Sequence, residues 1–269
     1  MAEREEATLM VDIGTNFEAV LGNSDWMLSC AGAAGPALEG GEVLFGMRAN
    51  PGAIERVRID PDTLTPSVST INGVRPRGIC GSGLIDLLAE LFRACVIDRT
   101  GGINLELDRP RVRKGQYHPE FVVAWKEETS IGKDIVITEN DIRNLIMSKA
   151  AIHAACMTLL DAAGLAPADI GRICFSGAFG NYLNKENAVT IGLIPEMPPR
   201  VHRKHRERGD HRREHRPRRP QAKEGTRRAR PADHLHRAER GPVVYGPVYV
   251  EQFSAAHGFC TLPARAADA

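Results

Sequence analysis

The sequence predicts an α/β protein, a mixed sheet with helices, followed by a basic tail that we expect to be disordered. Three observations support this fold class. An apolar run that ends in Asp12 is followed by a Gly-Thr-Asn turn and a second apolar run, which is typical of a β-hairpin. A long segment after Thr138 has the apolar spacing of a helix. A short apolar run and a glycine-rich turn come next, so strands and helices alternate.

The predicted hairpin carries the first candidate site. Asp12 lies at the tip of its first strand, and Gly14, Thr15 and Asn16 form the turn. A carboxylate beside turn N–H groups can orient a hydrated Mg²⁺, while the turn amides and hydroxyls hold phosphate. An ordinary hairpin with Asp as a turn residue accounts for the same residues. Both interpretations stay open on this element alone.

Two helices and a further strand are predicted downstream. The first helix runs from Ser82 to Ala94, after glycines that fit either close packing or an anion at the helix N-terminus. The second begins at a capping box of Thr138 and Asp141 and stops at Gly164. Phe121 to Trp125 is a candidate strand. The apolar positions of the second helix are Ile142, Leu145, Ile146, Ile152, Cys156, Leu159 and Leu160.

A second glycine-rich element follows the second helix. Ile173-Cys174-Phe175 predicts a short strand, and Ser176 to Tyr182 predicts a glycine turn. Gly177 and Gly180 can bring backbone close to a flat ring such as adenine, because no Cβ intervenes. Glycines that merely permit a turn are the alternative.

Together, the DIGTN and GAFGN segments resemble the phosphate and adenosine motifs of the actin-like ATPase superfamily. More specifically, residues 9–199 resemble the ATPase domain of reductive activators of corrinoid proteins. The sequence departs from that family at Phe17, where Gly is usual, and at Leu38, where Phe is usual. The further segments that carry the resemblance are Cys30–Gly41, Gly46–Ala49, Gly52–Glu55, Gly78–Asp86, Ile137–Ile142, Ser148–Ile152 and Ile191–Pro195.

The resemblance implies a partial actin-like, ribonuclease H-like ATPase fold and a role in corrinoid activation. ATP would drive electron transfer that returns Co(II) to Co(I) in a corrinoid protein partner, for methyl transfer. Asp12 would be the catalytic residue and would hold Mg²⁺ through water, with Gly14, Thr15 and Asn16 at the phosphates. Glu39 would have a polar role in the cleft. The adenosine residues would be Gly177, Ala178, Phe179, Gly180 and Asn181.

The family uses an iron–sulfur cluster as electron carrier, and we expect none in this chain. The six cysteines form neither a CxxC pair nor a ferredoxin-like spacing. The resemblance places the ferredoxin domain and a second phosphate hairpin upstream of Met1. We therefore expect a fragment that is inactive alone and that pairs with a missing N-terminal half or as a homodimer.

Two other function classes stay open: a sugar- or acid-kinase-like phosphotransferase, and a non-catalytic basic binding module. The N-terminus lacks the apolar core of a signal peptide, and no stretch approaches the length of a membrane span. We expect a cytoplasmic protein without a membrane or nucleic-acid partner.

Charge divides the chain sharply. Residues 200–240 hold 14 Arg and 2 Lys against 6 acidic residues, a net charge of +10, while the remainder carries −9. Such a segment buries too little apolar surface to offset its ordering entropy. We expect residues 1–199 to be the C-terminal part of an ATPase domain, 200–245 to be disordered, and 246–269 to be a short remnant. A nucleic-acid-binding arm is one alternative. A weak metal site at His202, His205, His211 and His215 is another.

A shifted reading frame explains the basic segment better than either function does. RVHRKHRERGDHRREHR, residues 200–216, can be encoded so that reading one base later gives EFIESIGNGAITGASI. This translation resembles the family's next motif, a Gly-Ala helix that closes the nucleotide cleft. Tyr249 to Ala256 resembles the family again, and His257 to Cys260 departs from it once more. We expect a frameshift after residue 199.

Overall fold

The structure, a computed structural model, describes residues 5–196, except for the side chains of residues 178, 179 and 181. The predicted segments 200–245 and 246–269 lie outside this description. The α/β prediction is confirmed. The strands are β1 (Thr8–Ile13), β2 (Asn16–Gly22), β3 (Met27–Ala33), β4 (Ala53–Ile59), β5 (Pro66–Thr70), β6 (Gly78–Ile79), β7 (Val112–Lys114), β8 (Pro119–Ala124), β9 (Ile135–Thr138) and β10 (Arg172–Ser176). The helices are α1 (Gly81–Arg93), α2 (Glu139–Ala163), α3 (Gly177–Tyr182) and α4 (Lys185–Thr190).

The main sheet is mixed, with the strand order β10-β1-β2-β3. β1 and β2 form the predicted antiparallel hairpin, and β2 pairs with β3 through a second hairpin. β10 lies parallel to β1, and its register pairs Asp12 with Ser176. Because the two strands are parallel, their carboxyl ends lie at the same edge of the sheet. The two segments that follow them, which carry the DIGTN turn and the GAFGN motif, therefore start side by side.

Two further sheets complete the described fold. β4 pairs with β5 in antiparallel and with β6 in parallel orientation. β7, β8 and β9 form an antiparallel sheet, in which β8 is the strand predicted near Phe121. α1 packs against β4 and α4, while α2 packs against β2 and β3. One hydrophobic core runs through all three sheets, with Leu9, Val11, Ile54 and Phe121 fully buried.

The N-terminus of α2 is held by the predicted capping box. The Asp141 amide donates to Thr138 Oγ1 at 3.2 Å, and the Asp141 carboxylate accepts from the Thr138 amide at 2.9 Å. The same carboxylate accepts from the Leu44 amide at 2.9 Å, although Asp141 is 3% exposed. At the other end, Gly164 has φ +65°, which satisfies the predicted stop. Local sequence signals thus set both ends of α2, the longest helix within residues 5–196.

The expectation that no stretch reaches the length of a membrane span is wrong for α2. This helix has 25 residues and is long and apolar enough to cross a membrane, judged by length and composition alone. Its buried face instead packs against β2 and β3 inside the domain. A core helix rich in alanine and leucine meets the same criteria.

The segment predicted as a glycine turn after β10 is partly helical. Gly177 has φ +73° and makes the bend, and α3 continues to Tyr182. A Cβ on Gly180 would lie 2.5 Å from the Cβ of Phe175, so this glycine allows α3 to approach β10. Two glycines within six residues lower helix propensity, and tertiary packing overrides that signal here.

Phe17, the main departure from the family pattern, is accommodated by its cross-strand neighbour. Phe17 is 3% exposed in β2 and lies opposite Gly32 in β3. A Cβ on Gly32 would lie 2.8 Å from the Phe17 ring. Phe17 has no positive φ, so its backbone takes an ordinary strand conformation. The aromatic ring fills the space that a side chain at position 32 would need.

His153 is a buried titratable group on the inner face of α2. It is 9% exposed, the Gly192 carbonyl accepts a hydrogen bond from its ring, and its Nδ1 has no partner among the described residues. Burial, and secondarily the charge of Lys149, lowers the His153 pKa from 6.5 to about 4. The folded state therefore keeps this imidazole neutral at pH values where the unfolded chain protonates it.

We predict that stability falls with acidification because of His153. The unfolded state binds the additional proton between pH 6.5 and about 4, so the free energy of unfolding decreases as pH falls through this window. The loss is at most about 3 kcal/mol. Urea denaturation at several pH values should show a flatter profile for His153→Leu. His118→Leu, at an exposed position, is the control and should retain the parental slope. An unchanged slope in His153→Leu would contradict the assignment.

Candidate functional site

The candidate site is built at the edge of the main sheet where β1 and β10 end. Asp12 is half-buried, one residue before the end of β1. The register places Ser176 on one side of it and Glu18 on the other. These three polar residues lie at paired positions and share one face of the sheet, while Val11 and Ile13 point into the core. Strand alternation thus presents a carboxylate at the edge while it anchors the same strand in the interior.

Asp12 touches the start of the second glycine-rich element. A Cβ on Gly177 would lie 2.7 Å from Asp12 Oδ1, closer than real Cβ contacts allow. Gly177 also has a positive φ, which few other residues adopt readily. The positive φ therefore favours glycine at this position, and any larger residue would also force the Asp12 carboxylate to shift. The structure brings together the segments that the sequence assigned to Mg²⁺ and to adenosine.

The turn after β1 is held by Glu39. The Thr15 amide donates to Glu39 Oε1 at 3.1 Å, and the Thr15 hydroxyl donates to Oε2 at 2.6 Å. The Gly14 amide donates to the Asn16 carbonyl at 2.9 Å, and a Cβ on Gly14 would lie 3.2 Å from Glu39 Oε1. Glu39 was predicted to have a general polar role in the cleft, whereas the structure gives it two specific contacts with the predicted phosphate turn.

The backbone of Glu39 is firmly placed even though its side chain is at the surface. Residues Ala37–Glu39 form a 3-10 turn, and the Glu39 amide donates to the Pro36 carbonyl at 3.0 Å. Ala37 and Leu38 are each 1% exposed, and Gly40 ends the turn with φ +84°. Leu38, the second departure from the family pattern, is thus an anchoring core residue. The carboxylate extends from this anchored turn toward Thr15.

A cleft of about 480 Å³ opens beside Glu39. The first residues of α1 line it, together with side chains that the sequence did not single out. Arg48 and Glu55 lie within two segments that resemble the family. That resemblance was the only feature of the sequence that pointed to these two residues. Tyr182, at the end of α3, is 59% exposed, and the sequence analysis included it in the predicted glycine turn without giving it a functional role. The lining residues that bear polar side chains are Glu39, Arg48, Glu55, Ser82 and Tyr182.

A second polar cleft, of about 660 Å³, lies between β4, β5, α1 and α4. Burial raises the pKa of Asp86, which accepts from Asn187 Nδ2 at 2.7 Å. Arg93 donates to Asn187 Oδ1 at 2.6 Å and to Thr190 Oγ1 at 2.8 Å. These groups satisfy one another, so the cluster is explained as the polar contact that fixes α4 to α1.

The functional groups at the sheet edge are of the types that bind Mg²⁺ and phosphate. The Asp12 carboxylate is the type of hard oxygen ligand that Mg²⁺ prefers. Gly177 leaves open the space beside it that a Cβ would fill. Thr15 offers an amide and a hydroxyl to an anion, although Glu39 accepts from both here. Within residues 5–196, no three His, Cys, Asp or Glu side chains form a group that could hold a metal directly. A role for Asp12 through water therefore stays a prediction.

Comparisons with known proteins agree with one another. The family model described as the C-terminal domain of RACo, the ASKHA domain, matches residues 6–204. Corrinoid activation enzyme RamQ from Eubacterium limosum is 39% identical over 196 residues, which are 70% of this chain and 33% of that protein. A Co(II) methylated amine-specific corrinoid protein reductase from Methanosarcina barkeri is 29% identical over 210 residues, 71% of this chain and 35% of that protein.

A solved structure extends the comparison to three dimensions. A reductive activator for corrinoid, iron–sulfur protein superposes with a TM-score of 0.69 at 52% identity, over 72% of this chain and 31% of that one. The family resemblance inferred from the sequence motifs is thereby confirmed. The chain spans about a third of the length of these relatives.

We predict that Gly177→Ala destabilises the protein more than a matched change elsewhere. A left-handed residue with a Cβ costs about 1–2 kcal/mol, and the new methyl group must also displace the Asp12 carboxylate. Gly132→Ala is the control, since Gly132 has φ +64° and a Cβ added there would have no other atom within 4 Å. Urea denaturation should give a larger loss for Gly177→Ala. Equal losses would show that Asp12 does not constrain position 177.

Proposed function

The chain belongs to the family of the C-terminal ASKHA domain of RACo, and on this premise we propose that it supplies nucleotide-binding residues of a reductive activator of corrinoid proteins. The contact between Asp12 and Gly177 carries the proposal. It joins the predicted phosphate hairpin to the predicted adenosine segment across two neighbouring parallel strands. An ordinary hairpin would not require a left-handed glycine against its terminal carboxylate.

In the proposed site, each residue has a separate task. Asp12, which is half-buried at the strand end, orients Mg²⁺ through water, because a carboxylate supplies the oxygen acceptors that hydrated Mg²⁺ prefers. Thr15 and the neighbouring turn amides contact phosphate. Gly177 keeps the backbone close to Asp12, and Gly180 fixes α3 against Phe175. Bound MgATP would supply the free energy of phosphoanhydride hydrolysis for an otherwise unfavourable electron transfer.

We further propose that the corrinoid protein is the partner and that the electron carrier lies in the part of the activator that this chain does not span. The names of the relatives support the first statement, because each refers to a corrinoid or to its activation. Their length supports the second, because about two thirds of each relative lies outside the match. A cytoplasmic location and the absence of a nucleic-acid partner remain parts of the same proposal.

We predict that Asp12→Asn weakens MgATP binding about tenfold, since it removes the charge that favours hydrated Mg²⁺. The effect should vanish when EDTA removes Mg²⁺. Asp25→Asn, in the exposed turn before β3, is the matched control and should bind as the parent chain does. Calorimetry at high protein concentration is the measurement, because a partial site binds weakly. Equal affinities for the parent and Asp12→Asn in the presence of Mg²⁺ would remove Asp12 from the site.

A second prediction concerns the activity itself. The assay contains a Co(II) corrinoid protein, MgATP and a low-potential reductant, and the absorbance of Co(I) is the readout. We expect no Co(I) from this chain alone. We expect an ATP-dependent signal when the remaining N-terminal portion of the Eubacterium limosum relative is added, with the full-length relative as positive control. An ATP-dependent signal from this chain alone would contradict the proposed division of tasks, and no signal with the added portion would contradict the proposed function.

A further inference from the structure

The turn that we assign to phosphate has its main donors already bonded within the protein. The Thr15 amide and hydroxyl both donate to the Glu39 carboxylate, at 3.1 Å and 2.6 Å. The Gly14 amide donates to the Asn16 carbonyl. A phosphate oxygen that approaches Thr15 therefore meets a negatively charged group in the position that it would occupy.

A carboxylate and a phosphate compete for such donors. Both are anions that accept hydrogen bonds from N–H and O–H groups, and two of them at one site repel each other. The two Thr15 donors cannot give full hydrogen bonds to Glu39 and to a phosphate at once, because each has a single proton. Binding of phosphate to these two donors thus requires Glu39 to move away.

The structure allows Glu39 to move. The residue is exposed, while its backbone is anchored by the buried side chains of Ala37 and Leu38. Rotation of the side chain can therefore release Thr15 without unfolding the 3-10 turn. The adjoining cleft gives the carboxylate a place to go, since Glu39 and Arg48 both line it and Arg48 brings a positive charge.

We propose that Glu39 is an internal competitor of the nucleotide: its carboxylate occupies the phosphate position at Thr15, and MgATP must displace it. This inference rests on the proposed function and adds a regulatory residue to the same site. In the absence of nucleotide, the carboxylate satisfies the donors and holds the turn in one conformation. In its presence, the Glu39 carboxylate turns into the cleft that Arg48 also lines.

The test compares four full-length chains: the parent, Glu39→Ala, Glu39→Gln and Glu42→Ala. Glu42 is an exposed acid on the same loop with no contact to Thr15, so its removal controls for the general loss of negative charge. Calorimetry measures binding of MgATP and, separately, of adenosine, which has no phosphate. Hydrogen exchange at the Thr15 amide reports on the contact itself without any nucleotide.

We expect Glu39→Ala to bind MgATP about tenfold more tightly than the parent, as loss of a charge-assisted competitor implies. Glu39→Gln should show a smaller gain, because the amide keeps one acceptor. Glu42→Ala should stay within about twofold of the parent, since exposed charges are screened. Adenosine affinity should be equal in all four chains, and the Thr15 amide should exchange faster in Glu39→Ala.

The outcomes separate the two proposals. If the parent binds MgATP and Glu39→Ala binds equally or more weakly, the competition is refuted while the nucleotide site stands. An equal gain in Glu42→Ala would also refute it, because the effect would then be general electrostatics. If none of the four chains binds MgATP, the proposed nucleotide function fails, and displacement of Glu39 by nucleotide fails with it.

Discussion

The parallel pairing of β1 with β10 is the constraint on which the candidate site depends. It joins the beginning of the described chain to a strand that lies beyond α2, so two segments far apart in sequence meet at one edge of the sheet. The pairing puts Asp12 beside the Gly177 bend, and a shift of one residue would turn Asp12 into the core and Val11 toward solvent. The buried side chains of β1 therefore specify the position of the polar ones.

Much of this arrangement follows from local sequence signals. The Thr138–Asp141 capping box and the Gly164 stop were identified correctly because each depends on residues within one or two helical turns. The β1–β2 hairpin is similarly local. The helix α3 was missed because its two glycines serve a bend and a close approach to Phe175, and neither is visible before the tertiary structure is known.

The contacts of the candidate site are harder to predict, for a physical reason. Thr15 and Glu39 are 24 residues apart, and their hydrogen bonds depend on how the 3-10 turn at Ala37–Glu39 packs against the core. Family resemblance named both residues but not the contact. Arg48 and Tyr182 line one cleft although they are far apart in the chain. The apolar periodicity of a helix or strand gives no information about such long-range contacts. Sequence signals describe elements, whereas the site is made by their packing.

The packing of Phe17 over Gly32 has an evolutionary consequence. The ring fills the volume that any side chain at position 32 would require, so the two positions are not independently variable. A larger residue at position 32 must displace the Phe17 ring, so we expect this change to be tolerated best after residue 17 has become smaller. The pair is thus a case of epistasis within one cross-strand contact, and a smaller residue at position 17 would lift this restriction on residue 32.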